Sequence, residues 1–287
     1  MTLRTGSRAG VRILEVPYDS GHKDFRMGLG PAHLIECGIG GLPGVSIEKI
    51  EVEDRAFELG VTIQLLRSIA AKVSAAIEDN CFPIVLAGGC ITSVGMLAGI
   101  GEPAGVVWFD AHADFNTPET TPSGFIDGMA LAMLAGRCWR TLAASIPGFR
   151  PVAEKDMVLV GARDLDPEER RALENSNIRS IDTQGFRTNG GDGFFAVRPS
   201  GSPDRVYLHI DLDVLDRGEA FVNQFSSTGG LTLAELLEII RSVSRHRAVV
   251  GAAITAYDPS VDESGKAAKA GVAVVQELLA AACIDAI

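Results

Sequence analysis

The chain has 287 residues, 46% of them hydrophobic, with a formal net charge of -11 and a pI near 5.0. The apolar content supports a large buried sheet, and an α/β architecture holds this length as one domain, 1–287. The acidic balance and the absence of long basic stretches exclude a nucleic-acid surface, and no apolar run approaches the roughly 20 residues of a membrane span. Residues 1–8 carry basic side chains with no long apolar core behind them, so a cytoplasmic location is expected rather than secretion. Cys37, Cys81, Cys90, Cys138 and Cys283 are odd in number and scattered, unlike a disulfide framework.

Short β-branched runs alternate along the chain with amphipathic helical patterns. Strands are predicted at 11–16, 46–52, 83–87, 104–109, 157–161, 178–181, 205–211 and 249–255. Helices are predicted at 61–79, 92–99, 127–136, 166–174, 231–245 and 265–283. This order implies a parallel sheet covered on both faces, with the active site at the carboxyl ends of its strands. Three chemistry-bearing segments follow such ends: Gly88-Gly89-Cys90, Asp110-Ala111-His112-Ala113-Asp114, and Asp211-Leu212-Asp213.

In an extended chain side chains repeat with period two, so Asp110, His112 and Asp114 project together and can surround a cation. Taken alone, such a triplet is more often turn or cap residues around a satisfied loop histidine. The second cluster, Asp211 and Asp213, changes that balance. Four carboxylates facing one another in a low-dielectric pocket repel strongly, and divalent cations relieve the repulsion.

The three segments, in this order, resemble the ureohydrolase (arginase and agmatinase) family, whose members carry G-G-(D/N)-H-S, then D-A-H-x-D, then D-x-D. Arg26-Met27-Gly28-Leu29-Gly30-Pro31 is similar to the family's N-terminal glycine-rich loop, and Gly229-Gly230-Leu231-Thr232 to the turn after its second aspartate pair. The likeness spans nearly the whole chain. It implies a three-layer α/β/α fold around an eight-stranded parallel sheet, a binuclear manganese centre, and hydrolysis at a guanidino or related carbon. The small-molecule partner is a guanidino or hydroxyguanidino amino acid, bound by a monomer or homo-oligomer.

The departures from the family pattern are specific. The histidine of G-G-(D/N)-H-S is missing: aligned without a gap its place falls on Ile91, and aligned from Gly95 it falls on Cys90. The second alignment supplies a donor, because a metal lowers a thiol's pKa and binds the thiolate; the alternative is a small buried apolar filler. A thiolate is softer than manganese prefers, so iron or zinc stays open beside Mn2+. Asp127 stands where arginases have a histidine thought to pass a proton to the departing amine. It could do so with a raised pKa or through water, bind substrate, or cap the helix starting at Gly128. Ala256 stands where the family's D-I-x-E-x-N-P has the glutamate that pairs with guanidinium, with Asp258 and Glu263 nearby as compensating carboxylates. Asn116, Thr121 and Ser123 match arginase positions that hold an α-carboxylate, and Asp166 matches the aspartate facing the α-ammonium. Asp166-Pro167 is also a helix N-cap and first-turn proline.

These matches imply a ligand set of Cys90, Asp110, His112, Asp114, Asp211 and Asp213, with Asp110 and Asp211 bridging two metals. Together they activate water for attack on the guanidino carbon. Asp127, or His209 through water, protonates the departing nitrogen; His209 is otherwise an outer partner of the ligands. An amino-acid head with an altered guanidine fits the retained and lost residues together. Nω-hydroxy-L-arginine, whose hydroxyguanidine binds neutral, gives hydroxyurea and L-ornithine, the reaction of a family branch in D-cycloserine biosynthesis. The alternatives are an arginase, an agmatinase or formimidoylglutamase-type hydrolase, or a metal-poor binding homologue.

Overall fold

The computed structural model describes residues 8–53 and 57–282. Eight apolar runs pair into one parallel sheet: β1 (Gly10–Val16), β2 (Val45–Lys49), β3 (Cys81–Ala87), β4 (Gly105–Phe109), β5 (Met157–Val160), β6 (Arg179–Ile181), β7 (Arg205–Asp211) and β8 (Ala248–Thr255). Their spatial order is β2-β1-β3-β8-β7-β4-β5-β6. The middle strands are nearly free of polar residues because helices cover both faces. Since β3, β8, β7 and β4 are neighbours although far apart in sequence, the loops leaving their carboxyl ends converge.

One face is covered by α2 (Glu58–Glu78), α3 (Thr92–Ile100) and α4 (Ala130–Leu134), with Leu65, Ile69, Met96 and Leu131 packed on Val85 and Trp108. The other is covered by α1 (Gly30–Glu36), α8 (Leu233–His246) and α9 (Lys266–Ala281), with Leu34, Ile239 and Val274 packed on Ile84, Phe109 and Leu208. This is the expected three-layer α/β/α arrangement around eight parallel strands. The α2–α3 contact depends on close approach, since a Cβ on Gly99 would lie 2.5 Å from the Ala70 carbonyl oxygen.

All eight predicted strands form, although 46–52 ends at Lys49. The predicted helix at 127–136 is a 3-10 turn, Asp127–Met129, followed by the short α4. The end of the helix predicted at 265–283, with Cys283, lies outside the described residues. So do residues 1–7. Helices α1, α5 (Arg140–Ala144) and α7 (Thr183–Phe195) were not expected from the pattern; α6 (Pro167–Glu174) was. In α7 the glycines at 185, 190, 191 and 193 hide the periodicity, and Gly190 breaks the helix at φ 67°. Helix α2, 21 residues with mean hydropathy 1.2, is long and apolar enough to cross a membrane. Its apolar residues Val61, Leu65, Ile69 and Val73 recur every four positions and are buried in the core, as in an amphipathic core helix.

Candidate metal centre

Strands β4 and β7 pair with Phe109 opposite Ile210. The next residues, Asp110 and Asp211, therefore leave neighbouring strands side by side, about 5 Å apart in backbone spacing. The chain does not stay extended beyond them. Asp110 Oδ1 accepts the His112 amide at 2.7 Å, and Asp211 Oδ1 accepts the Asp213 amide at 2.9 Å. Each aspartate thus closes a turn on the residue two ahead, and Asp114 adopts a left-handed φ of 49°. The clusters converge through turns rather than through the period-two alternation expected of a strand. His112 Nδ1 lies 3.1 Å from Asp110 Oδ1 and 3.5 Å from Asp213 Oδ2.

Thr255 of β8 pairs with Ala87 of β3 and Asp211 of β7, so the Gly88-Gly89-Cys90 loop emerges directly beside the aspartates. Cys90 Sγ is 3.2 Å from Asp211 Oδ2 and 3.5 Å from Thr255 Oγ1. Ile91 turns its side chain into the core instead. Donor atoms of Cys90, Asp110, His209 and Asp211 lie within 4.8 Å of one another, as do those of Asp110, His112 and Asp213. His209 lies beneath this floor with no surface on the cleft. Its Nδ1 is 2.8 Å from Ser93 Oγ, its Nε2 is 3.2 Å from Thr255 Oγ1, and its ring stacks on Trp108 at 3.5 Å. Trp108 Nε1 in turn donates to Asp110 Oδ2 at 3.0 Å.

Among the described residues, eight carboxylates and no lysine or arginine line the resulting cleft of about 310 Å³. Burial, with Asp213 next to it, pushes Asp110 up from the carboxylate range; burial and Asp110 push Asp114 well up, and burial and Asp213 do the same for Asp211. Burial opposes a charged His112, yet Asp213, Asp110 and Asp114 together hold it protonated up to about 11. Burial also pushes the Cys90 thiol well up. Asp114 Oδ2 is buried without a hydrogen-bond partner among the described residues. Buried anions with lone pairs to spare, an imidazole and a thiol form a donor set that fits divalent cations, whose charge removes the reason for these protonations.

Asn116, Thr121, Ser123 and Asp166 share one rim of this cleft. Asn116 Nδ2 donates to Asp166 Oδ2 at 2.9 Å, joining the loops after β4 and β5. Asp166 also caps α6 in a capping box with Glu169, so both roles expected of it coexist. Asp127 lines the same cleft. It does not cap the following turn; its Oδ1 accepts the Ile91 amide at 2.8 Å, and a Cβ on Gly89 would strike its carboxyl at 2.5 Å. Burial, aided by the charges of Asp19 and Glu58, raises it to about 7 against the Ile91 hydrogen bond.

Ala256 faces the cleft at a left-handed φ of 62°. The two carboxylates expected to compensate for it do not: Asp258 turns onto Ser260, Glu263 is exposed, and neither lines the cleft. Several contributors escaped the sequence pattern. Asn223 Nδ2 bridges Asp213 Oδ2 at 3.3 Å and the Ala256 carbonyl at 2.8 Å. Glu169 is buried and held at about 7 by burial, against hydrogen bonds from the Phe115 and Asp166 amides. Phe125 and Phe225 form an aromatic pair, 6.1 Å between ring centres, at the mouth. The T/D-x-x-E spacing of Asp166 and Glu169 was the one available signal for Glu169; nothing local marks Asn223 or Phe225.

The chain is similar to the arginase of Bacillus subtilis (strain 168), at 30% identity over 292 residues that cover 94% of this chain and 97% of that protein. Its fold is similar to the arginase of Bacillus cereus, with a TM-score of 0.83, 27% identity and coverage of 94% of this chain and 98% of that one. The formimidoylglutamase of Bacillus subtilis, at 18% identity and a TM-score of 0.76 over 98% of this chain and 89% of that one, shares the fold. The arginase family itself matches residues 9–281. With its paired strand-end clusters and eight-stranded sheet, the chain belongs to the arginase family, the metal-dependent hydrolases of guanidino groups.

Proposed function

We propose that this chain hydrolyses an amino acid with a weakly basic guanidino group, Nω-hydroxy-L-arginine, to L-ornithine and hydroxyurea. The observation that carries this reading is Ala256. It lines the cleft where the family has a glutamate, and neither Asp258 nor Glu263 replaces the carboxylate. A permanent guanidinium would lose its buried counter-charge there, at a cost of several kcal/mol, whereas a hydroxyguanidine is less basic and binds neutral.

Cys90, Asp110, His112, Asp114, Asp211 and Asp213 would hold two cations, manganese first, with iron or zinc as the metals a thiolate favours; bound there, they would supply an activated water and Lewis acidity at the guanidino carbon. Asn116, Thr121 and Ser123 donate hydrogen bonds to the α-carboxylate and Asp166 accepts from the α-ammonium, which fixes the far end of the substrate. Asp127, protonated below about 7, gives its proton to the departing ornithine nitrogen and then recovers one from solvent. His209, enclosed between Trp108, Ser93 and Thr255, orients Thr255 against Cys90 and Asp211.

The test is metal analysis together with ornithine release from hydroxyarginine, arginine and agmatine. Agmatine lacks the α-carboxylate and should react poorly. Fewer than one metal per chain and no ornithine from any substrate would select a binding protein instead.

A further inference from the structure

A second cavity, of about 180 Å³, opens at the amino ends of the strands, the opposite pole of the sheet from the metal centre. Its lining carries four cationic side chains, Lys155, Arg179, Arg198 and Arg247, against one carboxylate, Asp156. On a chain of net charge -11 this concentration of cations runs against the overall balance. The carboxylates nearby are already engaged: Asp156 with Lys155 at 3.1 Å and with Ser202, and Asp204 with Arg198.

Among the described residues, Arg179 and Arg247 are left without a counter-ion. The half-buried Arg179 touches the Phe195 ring face at 5.9 Å and has no hydrogen bond or ion pair among the described residues. Among the described residues the Arg247 side chain donates only to the His246 and Val197 carbonyls, at 2.8 and 3.4 Å. Burial lowers both guanidinium pKa values, and for Arg247 the charges of Arg198 and Arg179 add to the fall. Partly buried like charges with no carboxylate between them are costly unless an anion joins them.

We propose that this cavity is an anion site for a phosphate group, held chiefly by Arg179 and Arg247. Guanidinium forks match the oxygens of a phosphate with paired donors. Phe195, Val197 and Pro199 add an apolar wall, which suits a phosphate carried on a small organic body. The proposal is independent of the substrate assigned to the metal centre.

Inorganic phosphate is titrated calorimetrically into the full chain at constant ionic strength, with chloride as the balancing anion. Wild type should bind one equivalent saturably. Arg179→Gln and Arg247→Gln should each weaken binding at least tenfold, while Arg241→Gln, whose side chain pairs with Glu277 on α9, should leave it unchanged. Circular dichroism checks each variant's fold; if either cavity variant fails to fold, Arg198→Gln at the exposed rim decides, with weakened binding expected. The proposal is overturned if wild type shows no saturable binding, or if the folded cavity variants bind within twofold of wild type.

Discussion

Cys90 is the residue on which the metal centre departs furthest from its family. Its sulfur reaches Asp211 at 3.2 Å, while Ile91, the other reading of the alignment, packs in the core. Burial keeps the thiol protonated, so binding a cation there must displace a proton, and metal affinity should rise with pH. Cys90→Ala should lower metal content with the fold intact, and Cys90→His should retain two metals per chain. Unchanged metal content in Cys90→Ala, measured by plasma mass spectrometry, removes Cys90 from the ligand set.

Asp127 makes a second residue-scale prediction. Its carboxyl is raised to about 7 by burial, so the proton that the proposed mechanism takes from it is present below that pH and lost above it; nearby cations move the midpoint down, not up. The kcat of the wild type should therefore fall as pH rises through about 7 or slightly lower. Asp127→Asn should be slower by roughly 10²–10⁴-fold and lack that limb. A variant with the same limb would place the proton donor elsewhere.

At the scale of elements, the sheet was legible because its strands are short, β-branched and bounded by glycine or charge, and the candidate ligands follow at once: Asp110, His112 and Asp114 just past β4, Asp211 as the last residue of β7 and Asp213 just past it. The turns that aim those ligands were not legible. Asp110 and Asp211 bend the chain by accepting amides two residues on, which period-two reasoning replaces with an extended segment. Helix α7 was hidden by its glycines, and Asn223 and Phe225 lie in a loop without a local pattern. The N-terminus of α6 shows how an element serves the site. Glu169 accepts the Asp166 amide at 3.3 Å and the Phe115 amide at 2.8 Å, tying the helix cap to the loop that carries Asn116. Glu169→Ala should cost about 1–3 kcal/mol in urea denaturation and raise KM more than it lowers kcat, because Asp166 and Asn116 lose their support. Unchanged stability and KM would show that Glu169 merely fills space.

At the scale of the molecule, two layers of helices bury the sheet and leave its carboxyl ends as an acidic cleft with no lysine or arginine among the described residues that line it. That distribution favours cations, and the aspartate clusters at its centre were readable in advance. What the resemblance did not decide is which guanidino compound is cleaved. The answer turns on one missing carboxylate at Ala256, a position already in the left-handed region at φ 62°, so that a longer side chain there meets the same backbone cost. The most direct measurement is kcat/KM for hydroxyarginine and for arginine in wild type and in Ala256→Glu. Wild type should prefer hydroxyarginine at least tenfold, and the variant should move the ratio toward arginine by tenfold or more, about 1.4 kcal/mol per factor of ten. A wild type that prefers arginine, or a variant whose ratio does not move, would contradict the role given to Ala256 and the substrate assigned to this chain.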